Sequence, residues 1–345
     1  MLNDTRRLAS VDHIVDLRPI PDADSIEVGT VRGWDIVVRK GEYLSGDEVV
    51  FIEPDAGLPI DDERFAFLAP RGTKTIDGRV YHVLKTARLR GQLSQGIVFP
   101  AHDFADELKD PRGLDEALGI VLWTPPAPPM GADQIGAWDL SWLKKTDAER
   151  VQNLSDEWLQ SADDGLWVPT EKIDGTSLTY ALDEGRLRIY SRNWELDSSN
   201  PDATPVQLAA RYGLADWMAR HEISAVQGEM YGEGVNANRL GIKGQRLGLF
   251  AAWRRNGGYA LDEFEELYST GPEEGLDVAP VIEGLPFPTT VRESLQQADG
   301  RTSLISAKLA EGIVWHHRGD KAFPELDYRL VFKAVSAKYL LKHGL

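Results

Sequence analysis

Glu171-Lys172-Ile173-Asp174-Gly175-Thr176-Ser177 lies between two apolar runs, one ending Leu166-Trp167-Val168-Pro169 and one beginning Leu178-Thr179-Tyr180. Both runs read as strands, which puts Lys172 at a sheet edge where a cleft can form. A lysine amine is a nucleophile only when deprotonated, so a catalytic role requires its pKa to be drawn down from about 10.4. Neighbouring cations and a bound metal would do this. Gly175 would let a phosphate-bearing ligand approach the backbone closely. Taken alone, the same string reads more readily as an exposed Asp-Gly hairpin turn.

Working outward, five further strings follow in order over about 165 residues: Ser191-Arg192-Asn193, Gly228-Glu229-Met230-Tyr231-Gly232, Phe250 within Leu247-Gly248-Leu249-Phe250, Glu311-Gly312-Ile313-Val314 and Phe332-Lys333-Ala334-Val335. With Lys172, Asp174 and Gly175 they resemble the motifs of the covalent nucleotidyltransferase superfamily of ATP-dependent ligases and mRNA capping enzymes. The resemblance implies that Lys172 attacks the nucleotide α-phosphate and becomes a lysyl-nucleotide. It implies that Arg192 contacts the ribose and the reacting end, that Glu229 holds the ribose hydroxyls, and that Phe250 stacks on the base. It further implies that Glu311 supports a catalytic Mg²⁺ or Mn²⁺ and that Lys333 contacts the α-phosphate. Glu171, Asp174 and Gly175 count with the nucleotide-binding set. The chemistry is consistent with these roles. Displacing pyrophosphate from a polyanion calls for cations at the α-phosphate and a divalent metal, and an ionised Glu229 would accept from hydroxyl donors.

Three features point to the RNA ligase branch. The lead-in from Leu143 to Leu154 (LKKTDAERVQNL) is similar to that of nick-sealing RNA ligases. The chain stops twelve residues after Lys333, leaving no room for the OB domain that DNA ligases and capping enzymes carry there. A β-rich segment precedes the transferase motifs, an arrangement similar to the Deinococcus-type RNA ligases. The runs RLRGQLSQG at 88–96 and KAVSAKYLLK at 333–342 belong to the same resemblance. Two positions depart from the nick-sealing pattern: Ser177 stands where Asn is common, and Val335 where a second Lys is common, with Lys338 a possible substitute.

Organisation follows composition. The string WTPPAPPMG at 123–131 holds four prolines in five positions and predicts an extended linker. It divides an OB-like β-barrel domain (1–120) from an adenylyltransferase domain (137–345), with 121–136 as the linker. The predicted class is α+β: the barrel followed by an ATP-grasp-type ligase domain of antiparallel sheets with helices. Strands are expected at 34–38, 48–52 and 96–99, then at 165–170, 178–190, 225–231, 246–253, 311–317 and 328–336. Thr204-Pro205-Val206-Gln207 predicts a helix start with Thr204 as the cap, and Gly213 a break in the helical stretch. Residues 71–90 hold six basic residues and one acidic, a local charge of +5 that reads either as a binding face or as a solvated strand pair.

The 345-residue chain carries 38 basic and 55 acidic side chains, a net charge of −17, which excludes a generic polyanion binder. A nucleic-acid surface must therefore be a local patch, and Lys85, Arg88, Arg90 and Lys338 are the candidates. With no cysteine, disulfides, thiolate metal sites and thiol nucleophiles are excluded. The polar start MLNDTRRLAS and the lack of an apolar run near 18 residues predict a cytoplasmic protein without a membrane span.

The expected activity is joining of a 3′-OH to a 5′-phosphate at nicks in duplex RNA or RNA/DNA hybrids with an RNA 3′-OH end, with ATP as co-substrate, by a monomer. The alternatives are a capping-type guanylyltransferase, separated by GTP use, and an OB-fold nucleic-acid binder without catalysis, separated by the lack of an adduct. His316 and His317 are expected to be strand residues with solvent or phosphate contacts, and the ten tryptophans core and rim packing. Gly232-Glu233-Gly234 lacks the strand-to-helix setting of a dinucleotide fingerprint.

Overall fold

A computed structural model describes residues 6–143, 145, 147–319, 323–326 and 330–345. Lys144 and Thr146 of the lead-in, and residues 328–329 of the expected last strand, lie outside the described residues.

The Glu48–Ile52 strand organises the first module. It pairs antiparallel with Ala9–His13 on one side and Ile97–Pro100 on the other. Four consecutive apolar residues, Val49 to Ile52, are fully buried. Strand alternation sends Val50 and Ile52 into a cluster with Leu58, Phe65 and Phe104, and Val49 and Phe51 into a second with Trp34 and Ile36. A three-stranded sheet (Asp16–Pro19, Ile26–Val31, Trp34–Arg39) and a four-stranded one complete the module. The basic 71–90 segment contributes the hairpin Lys74–Ile76 and Arg79–Val83, turned at Asp77 and Gly78, both with positive φ.

Residues 123–130 have no regular structure, as the prolines require. Strands reach into both ends of the 121–136 stretch. Val121–Leu122 pairs with the first module, and Gln134–Ala137 with Trp194–Leu196.

Among the described residues, two sheets build the second module. The larger is antiparallel throughout, in the order Gln134–Ala137, Trp194–Leu196, Arg186–Tyr190, Thr176–Asp183, Ala225–Gly232, Gln245–Asn256 and Tyr259–Asp262. The expected single strand 178–190 is thus two, because Glu184 and Gly185 take positive φ and turn the chain. The smaller sheet runs Glu149–Arg150, Val331–Val335, Gly312–His317 and Trp167–Lys172, and its first pair is parallel, which sequence reading missed. Residues 278–281 tie the sheets together through bridges Leu249 to Val278 and Thr170 to Val281.

The helical stretch breaks at Gly213 (φ 59) into Thr204–Arg211 and Leu214–Arg220. Thr204 is the first helical residue and not the cap. Its N–H donates to Met130 O at the linker's end, so no side-chain cap is needed there.

The modules meet through hydrogen bonds from Gly33 N to Gln152 O, from Trp34 Nε1 to Asn153 Oδ1 and from Arg150 Nη2 to Asp55 Oδ2.

Candidate active site

Alternation in the smaller sheet places the chemistry. Lys172 pairs with Gly312, Thr170 with Val314, and Val168 with His316, while Val314 pairs with Lys333 on the next strand. Lys172, Thr170, Val314, His316 and Lys333 therefore share one face, and all border a cavity of about 850 Å³. The opposite face carries Trp167, Ile313, Trp315, Phe332 and Ala334, a core packed with aromatic edges. The larger sheet supplies the facing wall with Ser177, Thr179, Gln227, Glu229 and Ala251. Phe250 reaches the cavity through a bulge: Gly228 pairs with Leu249 and Gln227 with Ala251, so Phe250 is the extra residue and two neighbours face the same way.

Lys172 Nζ lies 2.7 Å from Glu311 Oε2. Burial acts to lower the lysine pKa, but Glu311, Glu229 and Asp174 outweigh it and hold the ammonium above its ordinary value. This corrects the expectation of a cationic surround: acidic side chains surround Lys172, and its amine stays protonated. Burial pushes the Glu229 carboxyl up to about 8, against the pull of Lys172, so at pH 7 it is largely a donor and not the ionised acceptor expected. Burial raises Glu311 too, again opposed by Lys172.

Lys333 is pushed down by burial and pairs with Asp147 at 3.0 Å. The other Asp147 oxygen meets Arg192 at 2.8 Å. Burial favours the neutral acid, yet Lys333 and Arg192 override it and hold Asp147 well below the usual carboxylate range. Sequence reading missed Asp147. It lies in the lead-in some 45 residues before Arg192 and 186 before Lys333, and no local pattern links the three.

Asp174 faces away from the cavity into a clamp. Tyr339 Oη donates to it at 2.6 Å, Arg239 Nη1 at 3.0 and 3.1 Å, and Asn236 Nδ2 at 3.1 Å. Asn236 Nδ2 also donates to Gly175 O at 2.6 Å. None of these partners was singled out from sequence. Gly175 borders the cavity and is also required for packing: a Cβ would collide with Met230 O and lie 2.7 Å from Glu229 Cγ. Glu171 borders the cavity, but its carboxylate points to the other face, accepting from Ser303 Oγ at 2.6 Å and Leu304 N at 2.5 Å. Its part is to anchor the strand that presents Lys172.

The four basic candidates lie elsewhere. Lys85 Nζ donates to Gly344 O at 2.9 Å, Arg88 Nη1 to Gly91 O within its own hairpin, and Arg90 is exposed at that turn. Lys338 is ion-paired with Asp299 at 3.3 Å and does not border the cavity. Val335 itself is buried across Gly312 from Lys172. His316 and His317 are strand residues as expected but not solvent-facing. His316 Nε2 meets Thr170 Oγ1 at 3.1 Å and burial pushes it down to about 4, and His317 meets Asp164 at 2.9 Å. Trp34, Trp217 and Trp315 are core, whereas Trp138, Trp142, Trp194 and Trp253 line the cavity with Pro125, Pro126 and Pro128 of the linker.

No group of three or more His, Cys, Asp or Glu side chains converges among the described residues. A magnesium-like ion needs fewer, since it keeps waters and is held by one or two carboxylates and substrate phosphates. Glu311 fits that demand: Oε2 is buried with no hydrogen-bond partner beyond its ion pair with Lys172.

Comparison with known proteins agrees with this geometry. Residues 165–335 match the family described as RNA ligase, and residues 8–101 a family described as an OB-fold domain. Among solved structures, the chain is similar to an apo variant of Naegleria gruberi RNA ligase, at 30% identity and TM-score 0.84 over 98% of each chain. It is similar to a variant of that ligase with ATP and Mn, at 30% and 0.84 over 98% of this chain and 99% of the other. It is likewise similar to that ligase with PPi, at 30% and 0.83 over 99% of each chain. No curated protein matches in sequence. No helix among the described residues is long and apolar enough to cross a membrane.

Proposed function

The chain belongs to the RNA ligase family, with an N-terminal OB-fold domain followed by a ligase domain, and on that premise we propose that it seals nicks in RNA-containing duplexes through an adenylyl group carried on Lys172. The reading includes the Deinococcus-type arrangement, with the OB domain over 1–120, the linker over 121–136 and the transferase domain over 137–345. One observation carries it: Lys172, Glu229, Arg192, Phe250 and Lys333 converge on one cavity between two sheets, and Glu311 touches the nucleophile.

In the first step Lys172 Nζ bonds to the α-phosphorus of ATP as the bond to the bridging oxygen breaks, and pyrophosphate leaves with that electron pair. Lys172 must first surrender a proton to solvent. A divalent cation held at Glu311 would supply positive charge there and weaken the ion pair that keeps the amine protonated. Lys333 faces the same cavity and neutralises charge developing on the α-phosphate once Asp147 yields it. Phe250 offers a flat apolar face to the adenine, and Glu229 a polar group to the ribose. In the second step a 5′-phosphate oxygen of RNA attacks the adenylyl phosphorus and the Lys172 nitrogen leaves, regaining its proton. In the third a 3′-OH attacks the activated 5′-phosphate, losing its proton as AMP departs.

Incubation with α-labelled ATP and Mn²⁺ or Mg²⁺ yields a labelled chain, GTP labels it poorly, and Lys172→Ala abolishes the label. Label retained by Lys172→Ala would refute the assignment. Nicked substrates with all-RNA, mixed and all-DNA strands then rank the preferred end.

A further inference from the structure

A second cationic region lies outside the cavity, on the seam between the two modules. The helix Ala337–His343 ends there, capped by Gly344, whose carbonyl accepts from Lys85 Nζ of the first module at 2.9 Å. Lys85 also sits 5.2 Å over the Trp123 ring, on the linker. The His343 ring lies 4.5 Å from that of Tyr339, tilted by 55°, and Tyr339 and Arg239 share the Asp174 carboxylate. Lys74 and Arg239 are close enough to depress Lys85, after the larger effect of burial, and Arg239 and Lys342 act likewise on His343. Five basic side chains, Lys74, Lys85, Arg239, Lys342 and His343, are thus gathered on a chain of net charge −17. The nearby carboxylates are already committed: Asp55 to Arg6 and Arg150, and Asp174 to its clamp.

We propose that this seam holds the phosphodiester backbone of the RNA flanking the reacting end, with Lys74 and Lys342 as exposed phosphate contacts and Lys85 and Arg239 behind them. The proposal rests on the ligase reading above and deepens it. Two features give the track a direction. Thr124, the residue after Trp123, already borders the cavity, as do the linker residues 125–128. Asp174 joins the seam to the strand end that presents Lys172. A strand laid across the seam therefore meets the cavity at its edge. Cations beside an aromatic face are the common equipment of a backbone-tracking nucleic-acid surface. A −17 body needs such a local patch to approach a polyanion at all. Of the four basic candidates read from sequence, Lys85 lies on this seam; Lys74, Arg239 and Lys342 join it because the helix end and the hairpin meet only in the folded chain.

The test uses the full chain with Lys74→Ala and Lys342→Ala combined, both side chains being exposed and outside the catalytic set. The probe is a labelled RNA duplex whose nick carries a 5′-hydroxyl, so that binding is read without sealing. The double variant binds roughly threefold to thirtyfold more weakly at low salt. The slope of log affinity against log salt becomes shallower by about two. The same variant takes up label from ATP at the wild-type rate. Wild-type affinity and an unchanged slope in the variant would overturn the proposal, as would a wild-type chain that forms the adduct yet fails to bind the duplex. Failure of the wild-type chain to form the adduct would instead overturn the underlying ligase reading.

Discussion

Replacing Tyr339 by phenylalanine removes one hydroxyl from the clamp on Asp174 and leaves the rest of the side chain in place. The ring is fully buried and keeps its contact with His343, so no cavity opens. What is lost is a 2.6 Å hydrogen bond to a carboxylate that is itself 9% exposed. Hydrogen bonds to charged groups contribute about 1.5–3 kcal/mol. Arg239 and Asn236 still hold the same carboxylate, which puts the loss at the lower end, about 1.5–2 kcal/mol. For a domain of some 200 residues each kcal/mol moves Tm by roughly 2–4 °C, so the transition falls by roughly 3–8 °C. Asp174 is two residues from Lys172, and a loosened carboxylate lets the strand end shift. We therefore expect adduct formation from ATP to slow by about tenfold, equivalent to about 1.4 kcal/mol, with little change in the ATP concentration needed. The two readouts are differential scanning calorimetry and single-turnover labelling. An unchanged Tm with an unchanged labelling rate would show that the hydroxyl holds nothing, and the clamp argument would fail.

Other expectations follow from the same geometry. Phe250→Ala removes the stacking face, for which about 1–3 kcal/mol per base is usual, so calorimetry in a Lys172→Ala background should show ATP binding roughly 5- to 150-fold weaker with PPi binding intact. Equal losses for both ligands would place the base elsewhere. Gly175→Ala forces a Cβ against a paired strand's carbonyl and should cost about 3 kcal/mol, lowering Tm by roughly 6–12 °C; a shift under about 2 °C contradicts the packing role. The Glu229 carboxyl titrates near 8 in the folded chain against an ordinary 4.5. Between those values the folded state keeps a proton that the unfolded state has released, so its contribution to stability declines as pH rises. The Tm of the wild type should therefore fall relative to Glu229→Gln across pH 5 to 8.5, and a constant difference would refute the raised pKa.

The amino-acid sequence by itself determined several central strands of both modules, the extended run of prolines, the break at Gly213 and the order of the site residues. Those signals are local: a two-residue alternation, proline chemistry, a glycine with positive φ, short motifs around Lys172, Glu229, Glu311 and Lys333. Tertiary structure alone decided which charges meet. Asp147 bridges Lys333 and Arg192, Tyr339 and Arg239 hold Asp174, and Glu311 faces Lys172 across separations of 45 to 186 residues that carry no periodic mark. The protonation of Lys172 belongs to the same class. A reactive amine would need cations around it, but Coulomb energy follows distance in space, and folding brings Glu311 and Glu229 to Lys172 instead. Gly175 too meets a neighbour that only the sheet brings near, the carbonyl of Met230.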